Sequence, residues 1–279
     1  MLGAMSRSEV EAQYTRGDVL SGILAALAAA GKDPEHIGPD DLVMVEEFHT
    51  LGPAATAALA EAAGLGAGDH VLDAGCGIGG PARHIARSHG CRVTGVDFTR
   101  KYCEAAVALT RRSGLAGQVS IVCGDATALP FPARAFDVAW TQHASMNIAD
   151  KAGLYGELRR VVRPGGRLAF FDVVAGPNQP IPFPIMWADD PAWSFLEPAA
   201  RTRELVEAAG FSIATWEDVS EQSQAFFAMA VAAAAAGPPG PLGIHLILSN
   251  PRPKFGNFLQ SLEEDRVRVI RCVAVAGAD

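Results

Sequence analysis

The chain has 279 residues, 49% of them hydrophobic, and its formal net charge is −8. This hydrophobic fraction is too high for a disordered chain, and the length suffices for one large domain or for one domain with additions. Nucleic-acid-binding proteins usually carry a basic face, whereas adjacent basic residues here form only pairs such as Arg111-Arg112. We therefore expect no nucleic-acid partner.

The cysteines and apolar segments indicate the cellular setting. The five cysteines are scattered without a C-x-x-C pair, which argues against a zinc site or a disulfide framework. Free thiols are typical of the reducing cytoplasm. The N-terminus lacks the pattern of a secretion signal, and the longest apolar run, residues 225–236, is too short to span a bilayer. We expect a cytoplasmic protein without membrane association, and both a monomer and a homodimer remain open.

The first 53 residues form a predicted helical segment ahead of the main domain. Apolar residues recur at helical spacing between Val10 and Leu27, which predicts a helix over residues 6–30. Gly31 ends this helix, and a second short helix is expected over residues 39–47. We assign residues 1–53 to an N-terminal helical segment and residues 54–279 to the main domain.

From residue 54 onwards, short apolar strands alternate with helices. We predict five strands in this region: 70–73, 91–96, 119–123, 136–140 and 167–174. Strands that alternate with helices at this spacing indicate a parallel sheet that is covered on both faces. The sequence therefore predicts an α/β fold with a doubly wound, Rossmann-like sheet.

The alternation is interrupted after the fifth strand. Residues 176–197 combine five prolines with several aromatic residues, which indicates an ordered excursion from the sheet. The chain then returns through a helix, a strand and a second helix: 198–209, 211–216 and 221–236. Residues 237–262 are expected to form a second excursion on the substrate side, before a last strand over residues 267–276.

A strand, a carboxylate and clustered glycines follow one another in residues 71–80 (VLDAGCGIGG). The glycines allow a sharp turn and a close approach of the backbone to a nucleotide-like ligand. The spacing Gly75-x-Gly77-x-x-Gly80 matches the dinucleotide fingerprint, and Gly75-x-Gly77-x-Gly79 is present as well. The turn by itself therefore fits either a nicotinamide dinucleotide or S-adenosylmethionine.

Three carboxylates at successive strand ends favour S-adenosylmethionine. Asp73 precedes the glycines, where it would repel a pyrophosphate but attract a cationic sulfonium ligand. Asp97, at the end of the next strand, can accept hydrogen bonds from both ribose hydroxyls of either cofactor. Asp125 lies in a Gly-Asp-Ala turn after the third strand. Its carboxylate can accept a hydrogen bond from the exocyclic amine of adenine.

The sequence resembles the class I methyltransferases, in particular the small-molecule branch (methyltransferase type 11) that includes quinone-biosynthesis and sarcosine or dimethylglycine N-methyltransferases. The resemblance rests on six stretches: EEFHTLGPAAT (46–56), VLDAGCGIGGPARHIA (71–86), VTGVDFT (93–99), GDATALPF (124–131), FDVAWTQHASMNIADK (136–151) and LRRVVRPGGRLAFFDVV (158–174). It implies a seven-stranded sheet with an antiparallel last strand, and an N-terminal lid. It also implies S-adenosylmethionine as methyl donor and S-adenosylhomocysteine as product.

The resemblance assigns the cofactor contacts residue by residue. The glycines of the turn would pass beneath the methionine part, Asp97 would hold the ribose, and Asp125 would contact the adenine edge. The implied cofactor residues are Tyr14, Asp73, Gly75, Cys76, Gly77, Gly79, Asp97, Phe98, Asp125, Ala126, Gln142 and His143.

The methyl acceptor is expected to be a small molecule, methylated at nitrogen, oxygen or carbon. His143 is the catalytic candidate, because a histidine near neutral pKa can take a proton from the acceptor; the alternative is that it only shapes the pocket. The candidate acceptor contacts are His49, Met146, Asn147, Phe183, Trp187, Trp193 and His245. Methyl transfer from a sulfonium requires no metal, since the protein mainly positions the reactants. Two alternatives remain: a nicotinamide-dependent oxidoreductase, and an enzyme that uses S-adenosylmethionine for other chemistry.

Overall fold

One seven-stranded sheet forms the centre of the computed structural model, which describes residues 18–47, 49–237 and 239–278. The strands are β1 (His70–Ala74), β2 (Arg92–Asp97), β3 (Val119–Cys123), β4 (Phe136–Gln142), β5 (Val162–Ala175), β6 (Phe211–Asp218) and β7 (Val267–Ala276). Their order across the sheet is β3-β2-β1-β4-β5-β7-β6. Strand β7 runs antiparallel to both of its neighbours, and the other neighbouring pairs are parallel. The predicted Rossmann-like fold is confirmed.

Helices cover both faces of the sheet. They are α1 (Val19–Ala29), α2 (Val43–Glu46), α3 (Pro53–Ala62), α4 (Gly80–His89), α5 (Arg100–Arg112), α6 (Lys151–Val161), α7 (Ala199–Ala208), α8 (Ser220–Ala236) and α9 (Pro251–Glu263). Buried residues of α3, α4, α8 and α9 share one core with the sheet, and those of α6 and α7 share another. Because both faces are buried, the inner strands are apolar almost throughout, as the sequence predicted.

The N-terminal segment packs beside the sheet through α1. The Asp18 carboxylate accepts the backbone N–H of Ser21 at 3.2 Å and so caps the start of this helix. Ile23 and Leu27 are buried in a small core with Leu109 of α5. The part of the predicted helix before residue 18, which includes Tyr14, lies outside the described residues.

Helix α9 is the largest difference from the sequence prediction, which treated residues 237–262 as an excursion. Pro251 and Pro253 occupy the first turn of α9, where the missing N–H groups cost nothing. Phe258 of α9 is buried against Phe227 of α8, with ring centroids 4.7 Å apart. Tertiary packing of these aromatic rings therefore stabilises a helix that the local sequence obscures.

Strand β5 also begins earlier than predicted, at Val162 rather than residue 167. Val162 pairs with Phe136, and regular pairing then resumes between Arg167 and Val138 after a register shift. Gly165 lies in this shift with φ 69°, a conformation that glycine adopts without strain. The Pro-Gly-Gly stretch is thus a bulge inside the strand and not a loop before it.

In the described part of the chain, no helix is long and apolar enough to cross a bilayer. Within residues 18–47, 49–237 and 239–278, no group of three or more His, Cys, Asp or Glu side chains could hold a metal ion.

Candidate active site

A cavity of about 320 Å³ opens at the carboxyl ends of β1 to β4. Strand β1 lies between β2 and β4, so this is the point where the strand order reverses and where ligands bind in such sheets. The predicted cofactor residues that line the cavity are Gly75, Cys76, Gly77, Asp97, Phe98, Asp125, Ala126, Gln142 and His143. Asp73 and Gly79 belong to the same turn but are not part of the lining.

Two glycines of the turn, Gly75 and Gly77, are required for different reasons. Gly75 has φ 84°, and a Cβ there would overlap the Cβ of Ala144, which follows His143. Gly77 has φ 53°, lines the cavity, and has no atom within 4 Å of the place that a Cβ would occupy. Gly75 therefore allows the turn to pack against the loop after β4, whereas Gly77 leaves open space for a ligand.

A buried ion pair attaches the N-terminal segment to this turn. The guanidinium of Arg83, in α4, lies 2.5 Å from the carboxylate of Glu46, in α2, and also donates to the carbonyl of Ile78 at 2.8 Å. Both side chains are buried, and Glu46 lines the cavity. Breaking a buried pair leaves an uncompensated charge, so this contact fixes α2 at the cavity wall.

Asp97 orders the floor of the cavity. Its carboxylate accepts the backbone N–H of Gly77 at 2.9 Å and that of Thr99 at 2.8 Å. Burial raises the pKa of this carboxyl, and the two N–H donors act in the opposite direction. The Thr99 side chain also forms a hydrogen bond with this carboxylate. A carboxylate offers about four lone-pair positions, so about one remains for a hydroxyl group of a ligand.

Asp73 is buried directly behind the turn, and its Oδ2 atom has no hydrogen-bond partner among the described residues. Burial, together with the nearby carboxylates of Asp97 and Glu47, raises the pKa of Asp73 to about 8. A buried acid of this kind is disfavoured as an anion until a cation lies near it. The turn is therefore electrostatically suited to a positively charged ligand.

Asp73 is expected to lower the stability of the cofactor-free protein. The folded protein holds a proton on Asp73 up to about pH 8, whereas the unfolded chain releases it near pH 4. The free energy of unfolding should therefore fall as pH rises between these values, by at most about 1.4 kcal/mol per pH unit. Asp73→Asn removes this dependence, so its melting temperature should exceed that of the parent by about 10 °C or more at pH 8.

Thermal melts of the two cofactor-free proteins at pH 5, 6.5 and 8 test this expectation. The difference should widen as the pH rises. If the parent and Asp73→Asn had the same melting temperature at each of the three pH values, Asp73 would not be a neutral buried acid.

Asp125 and Phe98 line the cavity further along the sheet edge. The Asp125 carboxylate accepts both the backbone N–H and the hydroxyl of Thr127, at 2.8 and 2.7 Å. These bonds fix the turn after β3, and Asp125 itself is exposed. Its carboxylate is thus accessible to an adenine amine.

His143 is held in an uncommon conformation at the end of β4. Its φ is 47°, its backbone N–H donates to the carbonyl of Phe171 at 2.8 Å, and its ring stacks on Phe171 at 5.0 Å. Burial, with a smaller contribution from His49, lowers the pKa of His143 well below its ordinary value. Within the described residues, its Nε2 atom has no hydrogen-bond partner. His143 is therefore a neutral imidazole with an uncommitted nitrogen.

His49 lies across from His143 but its nitrogens are already engaged. Its Nε2 lies 2.5 Å from the carboxylate of Glu47 and 3.1 Å from the hydroxyl of Thr56, and its Nδ1 lies 3.1 Å from the carbonyl of Thr50. The Thr56 hydroxyl also donates to Gln142 at 3.3 Å. This network ties the segment before α3 to the end of β4. Glu47 and Thr56 lie in the stretch 46–56 that carries the family resemblance, but sequence reasoning assigned a role there to His49 and not to these two.

An apolar surface forms part of the cavity lining. We call it the acceptor wall, and it consists of Met146, Met186, Trp187 and Phe195. Met146 follows β4, and the other three belong to the excursion after β5. The predicted residues His49, Met146, Asn147 and Trp187 thus line one cavity with the cofactor residues.

Three predicted acceptor residues lie elsewhere. Phe183 and Trp193 pack against the hydrophobic core and are not part of the cavity lining. His245 is exposed in a short turn, Ile244–Leu246, whose neighbour Ile247 packs in the core around α1. This segment therefore folds onto α1 and does not bring His245 to the cavity.

Comparison with known proteins identifies the family to which this chain belongs. A model of the methyltransferase domain family matches residues 72–170. Methyltransferase GfsG of Streptomyces halstedii is 34% identical over 238 residues, which cover 80% of this chain and 80% of that protein. The chain belongs to the S-adenosylmethionine-dependent methyltransferases. The sequence prediction of the family and of its methyl donor is thereby confirmed, and the nicotinamide-dependent alternative finds no support.

Other similar proteins act on diverse molecules. The sterol 24-C-methyltransferase of Eremothecium gossypii is 42% identical over 120 residues, but this match spans only 32% of its length. The [4+2]-cyclase SpnF has the same fold, with 24% identity, a TM-score of 0.72 and coverage of 99% of this methyltransferase and 98% of SpnF. Geranyl diphosphate C-methyltransferase from Streptomyces coelicolor A3(2) has a TM-score of 0.66 at 19% identity, with coverage of 80% and 78%.

Proposed function

We propose that this methyltransferase transfers the methyl group of S-adenosylmethionine to a hydroxyl group on a largely apolar, uncharged small molecule. One observation carries the proposal: a single cavity joins the glycine turn and its carboxylates to the acceptor wall, with His143 in the same lining. Donor and acceptor would therefore meet inside one cavity, where they can be aligned as an in-line displacement requires.

The donor half of the cavity fits the cofactor. The open space beside Gly77 and the unpartnered Oδ2 of Asp73 suit the methionine part and its cationic sulfonium. Asp97 retains capacity for a ribose hydroxyl, and Asp125 is accessible to adenine. When bound, S-adenosylmethionine supplies an electrophilic methyl group, and the residues of the chain need only align the acceptor and exclude water.

The acceptor half favours an apolar and uncharged molecule. Its wall carries two methionine and two aromatic side chains. The charged side chains that line the cavity in the described part of the chain are all carboxylates: Glu46, Asp97, Asp125 and Asp150. An acceptor with a phosphate or carboxylate group would be repelled by these groups, and it would lose its hydration without gaining a cationic partner.

His143 supports a hydroxyl as the methylated group. A hydroxyl must lose its proton as the new O–C bond forms, and a neutral imidazole can accept that proton. His49 is less suited to this step, because its two nitrogens are engaged by Glu47, Thr56 and the carbonyl of Thr50.

A matched pair of acceptors tests the proposal. 4-Phenylphenol and 4′-hydroxybiphenyl-4-carboxylate present the same hydroxyl and rings but differ by one negative charge. With labelled S-adenosylmethionine, we expect kcat/KM for 4-phenylphenol to be higher by about tenfold or more, equivalent to about 1.4 kcal/mol. 4-Aminobiphenyl serves as the matched nitrogen acceptor and should react more slowly than the phenol.

Three results would contradict the proposal. They are equal rates with the charged and uncharged phenols, faster transfer to the amine, and efficient transfer to small acceptors that carry a carboxylate or phosphate group, such as sarcosine, phosphoethanolamine or geranyl diphosphate.

A further inference from the structure

The acceptor wall belongs largely to the excursion between β5 and α7, which contains no regular strand. Its backbone forms only isolated bridges to other strands, so most of its carbonyl groups are not part of a sheet ladder. Side chains from other elements bind several of these carbonyls. The position of the wall relative to the cofactor therefore depends on those side chains.

Lys151 is the most buried of these contacts on the cavity side. Its side chain lies at the start of α6, and the residue is 6% exposed. The ammonium donates three hydrogen bonds, to the carbonyls of Ser145 and Ile148 at 2.6 Å and to that of Phe195 at 2.7 Å. An ammonium has three donors, so each is used.

The three carbonyls belong to two different parts of the cavity. Ser145 and Ile148 lie in the loop after β4, close to His143, whereas Phe195 belongs to the acceptor wall. Lys151 therefore connects the loop that carries the candidate base to the wall that would contact the acceptor.

Asn147 makes a second connection of the same kind. Its side-chain amide donates to the carbonyl of Trp187 at 2.9 Å and to that of Trp193 at 3.0 Å. The backbone N–H of Phe195 also donates to the carbonyl of Met146 at 2.8 Å. The loop after β4 and the excursion are thus joined at several points on one side of the cavity.

We propose that Lys151 and Asn147 are positioning residues that set the distance between the acceptor wall and the loop bearing His143, and so determine acceptor affinity. The inference rests on the proposed function, because it concerns the acceptor half of that site. Neither side chain has to touch the reacting atoms. Burial lowers the pKa of Lys151 to about 8, so the connection should weaken in more alkaline solution as the ammonium loses a donor. Asp172 and Glu197 face this ammonium and oppose the loss of its proton.

The test variant is Lys151→Met, which keeps the length of the side chain and removes all three donors. The matched control is Lys254→Met. Lys254 is also buried and holds the same excursion through Asp189 at 2.8 Å, but it belongs to α9 and not to α6. Both proteins are saturated with S-adenosylhomocysteine before acceptor binding is measured.

For Lys151→Met, we expect the Kd of 4-phenylphenol, measured by calorimetry, to rise by about tenfold or more. Hydrogen exchange in residues 183–196 should accelerate, while the Kd of S-adenosylhomocysteine stays within about twofold. In turnover, KM for the acceptor should rise more than kcat falls. Lys254→Met should change the acceptor Kd by less than about threefold.

The proposal is overturned if Lys151→Met accelerates exchange without changing acceptor affinity, because the lysine would then be merely structural. It is also overturned if donor affinity falls as much as acceptor affinity. If Lys151→Met does not fold, Asn147→Leu carries the same expectations. These binding and exchange measurements do not require turnover, so they separate this proposal from the proposed function.

Discussion

Replacing Asp97 by asparagine is expected to weaken the binding of S-adenosylhomocysteine by about 100-fold, as measured by calorimetry. The Asp97 carboxylate already accepts the N–H groups of Gly77 and Thr99. The amide of asparagine would turn an NH₂ group towards one of these donors and leave it unpaired. A ribose hydroxyl would also lose a charged acceptor, and hydrogen bonds to charged groups contribute about 1.5–3 kcal/mol each.

Asp125→Asn is the matched control for this experiment. Asp125 lines the same cavity, but it is exposed and its carboxylate accepts hydrogen bonds from Thr127 alone among the described residues. Water can therefore compensate for much of its loss, and we expect donor affinity to fall by less than about tenfold. If the two variants bound the product equally well, Asp97 would not be the ribose contact.

The sequence predicted the sheet well because its strands are buried on both faces. The runs that form β2, β4 and β7 are largely apolar, so their positions follow from local pattern, although β4 extends to Gln142, two residues beyond the predicted end. Helix α9 was not predicted within the excursion 237–262, and it is stabilised by the packing of Phe258 on Phe227. Long-range packing of this kind leaves no local signal.

The donor half of the site was predictable for a related reason. Gly75, Gly77 and Asp97 follow strand ends directly, and the carboxyl ends of parallel strands meet at one edge of the sheet. Lys151 and Glu47 were not predictable. A lysine or glutamate next to a helix usually reads as solvated charge, and only the fold shows that these two are buried against carbonyls and a histidine.

The acceptor residues depended on how the excursion folds. Trp187 and Trp193 are close in sequence and similar in chemistry, yet only Trp187 lines the cavity. The carbonyls of both accept the Asn147 amide, so the irregular backbone between them decides which ring faces the acceptor. A pattern of aromatic residues could not distinguish the two.

His143→Asn is expected to lower kcat by about 100-fold or more, because general-base catalysis contributes about 10²- to 10⁴-fold. Asparagine tolerates the positive φ of 47° at this position better than most residues, so the backbone of the loop should be retained. It can accept a hydrogen bond but cannot take up a proton. The Kd of S-adenosylhomocysteine should stay within about threefold, and His70→Gln, at the amino end of β1, serves as the control outside the cavity.

The pH dependence of the parent enzyme gives the independent check on His143. The neutral imidazole is the active base, and protonation at low pH would abolish its function. Because burial holds the pKa of His143 well below its ordinary value, the neutral form persists in mildly acidic solution. We therefore expect kcat/KM for 4-phenylphenol to remain level between about pH 7 and pH 6, where Lys151 is still protonated, and to fall at lower pH only below that range. A decline centred near pH 6.5, or a variant that retains full kcat, would assign the proton transfer to a group other than His143.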